Sequence, residues 1–245
     1  MPAQSHGSAL PPFLLTRPAA QNVRFAARLR GRFGEAIRIV QSPLFEPRFL
    51  APEIPDQDFR GVVFTSETGV EAFERLGIPA KGRAWCVGDR TAEAARRLGF
   101  DAISAGGSAT ELAQVLARLN GPLLYPRARH TAVDLGAALK DTETRICETI
   151  VYEQFPLPIN EEANRLLVTS ATLVAPLFSP RSASQFAQSD AVLDRRAQLF
   201  APVMSGAVAK ALEPAHPERV VVASRPDVVS MLAAIADLVA TPGQP

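Results

Sequence analysis

Short apolar runs alternate with amphipathic stretches along most of this 245-residue chain. Residues 62–64, for example, form an apolar run, and the stretch after them places Val70, Phe73 and Leu76 at helical spacing. The first pattern is typical of a buried strand and the second of a helix that covers a sheet. Repeated alternation of this kind indicates parallel strands joined by crossover helices, so the sequence predicts an α/β fold.

The chain carries more strand and helix units than one sheet of this length would hold, which predicts two lobes. A weak internal similarity supports the division. Ser66 is followed seven residues later by Phe73, and Ser179 is followed by Phe186 at the same offset. Similarity of this kind between two halves is typical of an internal repeat.

Two extended, proline-containing segments, residues 41–52 and 147–158, interrupt the alternation. We interpret them as the two crossings between the lobes. Lobe 1 then consists of residues 13–40 and 159–240, and lobe 2, residues 53–146, is inserted into it. A paired crossing is a natural hinge, because a few residues can absorb the change in backbone angles.

Composition and charge exclude several classes of protein. The formal net charge is +1, so there is no basic field that would recruit nucleic acid. The cysteines, Cys86 and Cys147, form no C-x-x-C pair, and two buried reduced thiols fit a cytoplasmic protein. His6, His130 and His216 lie far apart and lack ligand spacing, so no metal site is expected.

The chain offers no segment that predicts export or a membrane span. Residues 1–12 have neither the cationic start nor the apolar core of a signal peptide, and we expect them to be a disordered tail. The longest uncharged stretch, residues 166–180, contains Pro176 and is too short to cross a bilayer.

Small and hydroxyl residues stand where the predicted strands end and the next helices begin. They are Thr65, Ser66, Gly88, Gly106, Gly107, Ser108, Ser179, Ser205, Gly206 and Ser224. Ligands of parallel α/β sheets bind beyond the carboxyl ends of the strands, and a helix start offers free N–H groups to an anion. For any single residue a simple helix cap is the alternative. The array as a whole favours a ligand with many carboxylates.

Arginines stand near two of these strand ends. Arg17 follows the first strand and Arg127 follows residues 122–125, so either guanidinium could pair with a carboxylate; a solvated surface arginine is the alternative. The chain contains no G-x-G-x-x-G after a strand, no P-loop and no G-x-S-x-G elbow. The sequence therefore indicates no nucleotide cofactor and no nucleophilic serine.

Seven short motifs, taken together in order, resemble the uroporphyrinogen-III synthase family over about residues 12–240. They are LLTRP at 14–18, VFTS at 63–66, GVEAF at 69–73, VG at 87–88 with TA at 91–92, LYPR at 124–127, VYE at 151–153 and FSPRS at 178–182. The resemblance implies two flavodoxin-like lobes with parallel sheets, the second inserted into the first and joined to it by a two-stranded linker. It implies an active site in the cleft between the lobes.

The family's activity follows from the same resemblance. It implies an enzyme of heme biosynthesis that cyclises hydroxymethylbilane, a linear tetrapyrrole, to uroporphyrinogen III, with inversion of the last pyrrole ring and loss of water. No cofactor is implied, and we expect a cytoplasmic monomer that binds a small molecule. The alternatives are a two-lobed protein that binds an anionic ligand, and a regulatory relative that binds a tetrapyrrole without catalysis.

The resemblance also implies roles for particular residues. Tyr152 matches the family tyrosine that is the best candidate to assist departure of the hydroxyl group, since a phenol can donate a proton to a leaving oxygen. A half-buried structural tyrosine is the alternative. Five residues match positions expected to contact carboxylates: Thr65, Ser66, Thr91, Ser179 and Ser205. The chain departs from the family at Val208, where many relatives carry threonine.

Overall fold

The computed structural model describes residues 10–131 and 133–240, so most of the predicted tail lies outside the described residues. The chain divides into two units. Unit 1 comprises Met1–Glu46 and Pro156–Pro245, and unit 2 is the continuous segment Pro47–Phe155 between them.

The strands and α-helices of the described residues are numbered in chain order. The strands are β1 Phe13–Leu15, β2 Ile39–Gln41, β3 Phe45–Phe49, β4 Gly61–Phe64, β5 Arg83–Cys86, β6 Asp101–Ser104, β7 Gly121–Ala128, β8 Thr144–Pro156, β9 Thr172–Val174, β10 Gln198–Val203 and β11 Arg219–Val222. The helices are α1 Ala19–Phe33, α2 Glu67–Arg75, α3 Asp89–Leu98, α4 Ala109–Leu116, α5 Leu135–Leu139, α6 Glu161–Thr169, α7 Pro180–Ala187, α8 Asp190–Leu193, α9 Gly206–Leu212 and α10 Val228–Ala240.

Unit 1 contains a five-stranded sheet in the order β2-β1-β9-β10-β11, and its paired strands are parallel. Counted along the unit, this order is 2-1-3-4-5, which is the flavodoxin-like arrangement. Apolar residues of α1 and α10 form a buried cluster with β1, including Phe25 and Ile235. A second cluster joins α6, α7, α8 and α9 to the sheet. The helices therefore cover both faces.

Unit 2 contains a six-stranded sheet in the order β3-β8-β7-β4-β5-β6. The pairs β8–β7, β7–β4, β4–β5 and β5–β6 are parallel, with β4 between β7 and β5. Helices α2 and α3 pack with one buried cluster and helices α4 and α5 with another. The predicted α/β fold with two mainly parallel sheets is confirmed. The two sheets differ in their strand order.

The two segments that link the units pair with each other through β3 and β8. The Leu50 N–H donates to the Val151 carbonyl, and the Leu157 N–H donates to the Leu44 carbonyl. Partner numbers fall on one strand as they rise on the other, so the two strands run antiparallel. At 13 residues, β8 is long enough to pair with both β7 and β3.

The apolar run 173–178 does not form one continuous strand. Strand β9 ends at Val174, although the Ala175 and Leu177 N–H groups still donate to carbonyls of β10 and Leu177 forms a bridge with Val203. Pro176 has no N–H to give to the ladder, which explains the break. Within the described part of the chain, none of the helices has the length and apolar character of a membrane span.

Candidate functional site

The strand order of unit 2 fixes where a ligand site can form. In a doubly wound sheet, a crevice opens where two neighbouring strands send their chains to opposite faces. Strand β4 leads to α2 and its neighbour β7 leads to α5, and these helices belong to different buried clusters. The residues after β4 are Thr65 and Ser66, so two of the predicted site residues lie at this crevice.

A cavity of about 280 Å³ lies at this point of unit 2. The described residues that line it are Thr65, Ser66, Val87, Ala109, Tyr125, Ala128, His130, Thr131, Val133, Leu135 and Tyr152. Its wall combines hydroxyl groups, two phenols and an imidazole with apolar side chains. That mixture is typical of small-molecule sites, in which a few polar groups orient a ligand.

Tyr152 and Ser66 meet in the wall of this cavity. Tyr152 lies on β8 and is only 7% exposed, and its phenol oxygen is 3.0 Å from the Ser66 hydroxyl oxygen. Ser66 is the N-cap of α2, and its side chain accepts a hydrogen bond of 2.9 Å from the Gly69 N–H. The serine thus bonds to a helix start and to the phenol at the same time.

A second tyrosine repeats this arrangement beside the first. The Tyr125 hydroxyl near the end of β7 is 3.0 Å from the Thr65 hydroxyl oxygen. Sequence reasoning missed Tyr125 as a site residue. The signal was present, because LYPR at 124–127 ends the strand that pairs with β4. The missing information was that β7 lies between β4 and β8 and pairs with β8 as far as Ala128, which places Tyr125 in the cavity wall.

Burial is the main influence on the pKa of both phenols. It raises the pKa of Tyr152 above its usual value, and the hydrogen bond with Ser66 offsets part of that rise. Burial also raises the pKa of Tyr125, while its bond with Thr65 acts in the opposite direction. A phenol is neutral near pH 7 even without such a shift, so both can donate a proton or a hydrogen bond there.

The Arg127 guanidinium already has hydrogen-bond acceptors within the protein. Its Nε donates to Glu148 at 2.7 Å, and its Nη1 donates to the carbonyls of Ala128 and Arg129. Two of its three nitrogens therefore already have protein acceptors. Arg127 and Glu148 both act on the pKa of Tyr125, which shows that the ion pair belongs to the surroundings of that phenol.

Gly88 and Thr91 lie at the start of α3, where Gly88 is the N-cap. A side chain at Gly88 would meet the Cα of Gly107 at 3.3 Å, so the position requires a close approach of two backbones. Thr91 is buried, at 5% exposure. The described lining of the cavity includes neither of these residues, nor Arg127.

Unit 1 places its predicted residues at its own switch point, between β1 and β9. Strand β1 leads to α1, and the segment after β9 leads to α7, which packs with the other buried cluster. Arg17 follows β1, and its guanidinium lies over the Phe178 ring at 4.0 Å. Ser179 is the N-cap of α7 and accepts from the Ser182 N–H. Because Phe178 immediately precedes Ser179, an arginine and a helix start lie close together in unit 1.

Ser205 and Gly206 begin α9 after the next strand of the same sheet. Ser205 is the N-cap, and its hydroxyl accepts from the Val208 N–H at 3.4 Å. The Val208 side chain is 1% exposed and belongs to the core of unit 1. The side chain at the position where this sequence departs from the family is thus a packing element here.

A larger cavity of about 370 Å³ lies at the opposite end of the unit 2 sheet. Arg60, Arg83, Trp85, Arg118, Leu119 and Asn120 line it. Arg83 pairs with Asp101, and Arg60 donates to the Asn120 carbonyl. This cavity lies at the amino ends of β4, β5 and β7, away from the end where parallel sheets bind ligands. We therefore assign the candidate site to the smaller cavity.

No group of three or more histidine, cysteine, aspartate or glutamate side chains in residues 10–131 and 133–240 is arranged to hold a metal ion. Cys86 is buried, Cys147 is half-buried, and both are free thiols. The expectation that both cysteines are buried is thus wrong for Cys147, because β8 leaves its side chain partly accessible.

The family model described as "HEM4: Uroporphyrinogen-III synthase HemD" matches residues 24–233, most of the chain. No curated protein matches the sequence.

Solved structures of the same name share the fold at low sequence identity. A uroporphyrinogen-III synthetase from Helicobacter pylori superposes with a TM-score of 0.62 at 14% identity, covering 94% of this chain and 100% of that one. A mutant uroporphyrinogen III synthase from Thermus thermophilus gives a TM-score of 0.50, also at 14% identity, covering 93% of this chain and 98% of that one.

Proposed function

Because this chain belongs to the uroporphyrinogen-III synthase family, we propose that it cyclises hydroxymethylbilane to uroporphyrinogen III, with inversion of the last pyrrole ring and loss of water. The observation that carries this proposal is the family match over residues 24–233. The cavity at the switch point of unit 2 supports it, since buried phenols there have the chemistry that the first step needs.

Tyr152 is the proposed catalytic residue. The hydroxyl group of hydroxymethylbilane must leave as water, so a proton has to reach its oxygen as the C–O bond breaks. A phenol is protonated at neutral pH, burial raises the pKa of Tyr152 further, and its hydroxyl lies in the cavity wall. A positioned side chain that donates a proton in the transition state contributes about 10²–10⁴-fold to the rate.

The carboxylates of the substrate are assigned to the helix starts and arginines of each unit. In unit 2 the proposed groups are Thr65, Gly88, Thr91, Arg127 and the helix start at Ser66, whose hydroxyl is itself bonded to Tyr152. In unit 1 they are Arg17, Ser179, Ser205 and Gly206. Free N–H groups at the first turn of a helix favour anions. The stacking of Arg17 on Phe178 supports its assignment, since it fixes the plane of the guanidinium.

The product isomer tests this function. Purified protein is mixed with hydroxymethylbilane, and the oxidised products are separated by chromatography. We expect the type III ring in place of the type I ring that forms spontaneously. Type I alone, from protein that still binds the substrate, would exclude the enzyme and favour a tetrapyrrole-binding relative.

We also place the protein in the cytoplasm, since two free thiols fit a reducing compartment.

A further inference from the structure

The Ser66 hydroxyl has two partners, which limits what else it can do. Its oxygen accepts from the Gly69 N–H at 2.9 Å and lies 3.0 Å from the Tyr152 phenol oxygen. A serine hydroxyl has one proton and two acceptor positions. With one acceptor position used by the helix, the bond to Tyr152 engages either the serine proton or the remaining lone pair. Little capacity is left for a substrate carboxylate.

The hydrogen bond between the two side chains must have a fixed direction once the phenol loses its proton. A phenolate can only accept, so Ser66 then has to donate to it. The Gly69 N–H holds the serine oxygen in place during this change, and α2 starts at this point with the positive end of its dipole. Ser66 thus stabilises negative charge on the phenol oxygen.

We propose that Ser66 is a positioning residue for Tyr152, fixed by the first turn of α2 and donating a hydrogen bond to the phenol oxygen whenever the phenol gives up its proton. The inference deepens the proposed function and rests on it for the catalytic step. In that step the proton passes from Tyr152 to the leaving hydroxyl. The C–O bond breaks with its electron pair on oxygen, water departs, and the pyrrole takes up the positive charge.

Other titratable groups lie in the same cavity wall or on β7, β8 and α2, and they have to be held constant in any test. They are Tyr125 and His130 in the cavity wall, Arg127, Arg129, Glu148 and Glu153 on or next to β7 and β8, and Glu67, Glu71 and Arg75 on α2. None of these is altered by a substitution at Ser66.

The hydrogen bond can be tested without substrate because the chain has only two tyrosines, Tyr125 and Tyr152. Protein labelled with ¹³C at the tyrosine Cζ gives two NMR signals, and Tyr125→Phe assigns them. In Ser66→Gly we expect the pKa of Tyr152 to rise by about one unit, since a hydrogen bond to a charged group is lost. Glycine is tolerated at a helix N-cap at little cost, so this variant should fold.

Ser108→Ala is the matched control. Ser108 caps α4 in the same unit, and its hydroxyl bonds to Glu111 and not to a tyrosine. We expect the Tyr152 titration to stay unchanged in this variant and to return to its original value in Ser66→Thr. A Tyr152 titration that is the same in Ser66→Gly and in the unaltered protein would overturn the proposal.

Kinetics separate positioning from substrate binding. A proton donor weakened by about one pKa unit slows the step by at most about tenfold, so turnover should fall by up to that factor with KM changed by less than about twofold. A raised KM at unchanged turnover would mean that Ser66 binds substrate directly, which contradicts the inference. If the unaltered protein forms no type III ring, the proposed function fails, while the NMR titration still decides whether Ser66 donates to Tyr152.

Discussion

The two hydroxyl residues after β4 each form a hydrogen bond with a phenol: Thr65 with Tyr125, and Ser66 with Tyr152. Neighbouring residues that point in different directions from one loop can bond to side chains of two different strands, β7 and β8. The result is a pair of buried, neutral phenols in one cavity wall. The two residues therefore do more than cap a helix.

Removing the Tyr152 hydroxyl tests its role at this scale. Tyr152→Phe keeps the ring in its buried place, and we expect turnover to fall by about 10²-fold, the low end for general acid help. Circular dichroism should show an intact fold. Tyr125→Phe is the comparison, since its hydroxyl bonds to Thr65, and we expect a smaller loss. Equal turnover in Tyr152→Phe and the unaltered protein would make Tyr152 a structural residue.

The raised pKa of the Cys86 thiol predicts that the protein loses stability at alkaline pH. Burial raises the pKa of its thiol to about 12, against an opposing effect of Arg96. Above about pH 9 the unfolded chain loses this proton while the folded chain keeps it, so the free energy of unfolding falls as pH rises toward 12. The slope from this group is at most about 1.4 kcal/mol per pH unit.

Urea unfolding of Cys86→Ala checks this effect. We expect a shallower fall in the free energy of unfolding between about pH 9 and about pH 11 than in the unaltered protein. Measurements near pH 7, where the thiol is protonated in both states, give the cost of the substitution itself. Identical slopes for the two proteins would show that the thiol does not contribute.

At the scale of elements, strand β4 lies between two parallel neighbours and leads directly to the candidate site. Its first residue, Gly61, faces Arg83 and Trp85 of β5. A Cβ there would lie 2.4 Å from the Arg83 carbonyl oxygen and 2.5 Å from the Trp85 ring. Since backbone atoms cannot yield easily, the pairing of these strands requires glycine at this position.

Gly61→Ala should therefore destabilise unit 2, by about 1–3 kcal/mol, as overpacking does in other cores. The fluorescence of Trp85, the one tryptophan in the chain, reports the transition in urea. For Gly31→Ala we expect the free energy of unfolding to change in the opposite direction. Gly31 lies inside α1 with open space around its Cβ position, so alanine should stabilise that helix by about 0.5–1 kcal/mol. A neutral Gly61→Ala would contradict the close approach.

At the scale of the whole molecule, the two units differ in continuity. Unit 2 is one segment of chain with its own sheet and buried clusters, whereas unit 1 is assembled from two segments. We expect residues 44–157, which retain both strands β3 and β8, to fold alone. Trp85 fluorescence and circular dichroism should show a single cooperative transition in urea. Gradual, non-cooperative curves would show that unit 2 depends on unit 1.

Helix α6 shows what sequence patterning can overlook. The alternation of runs did not predict it, although Asn160 caps it and Glu161 and Glu162 occupy its first turn. A polar cap followed by acidic residues is a helix-start signal. The signal was concealed because an uncharged stretch begins at Leu166, in the middle of the helix.

The sequence by itself determined the α/β class, most strand positions and the hydroxyl residues at the helix starts. These features depend on local periodicity and capping, which neighbouring residues encode. Only the tertiary structure decided which strand ends are neighbours. The order β8-β7-β4 brings Tyr125 and Tyr152 to the residues after β4, and strand order depends on pairings between residues distant in the chain. For the same reason, the partners of Arg127 and Ser66 could not be read from their motifs.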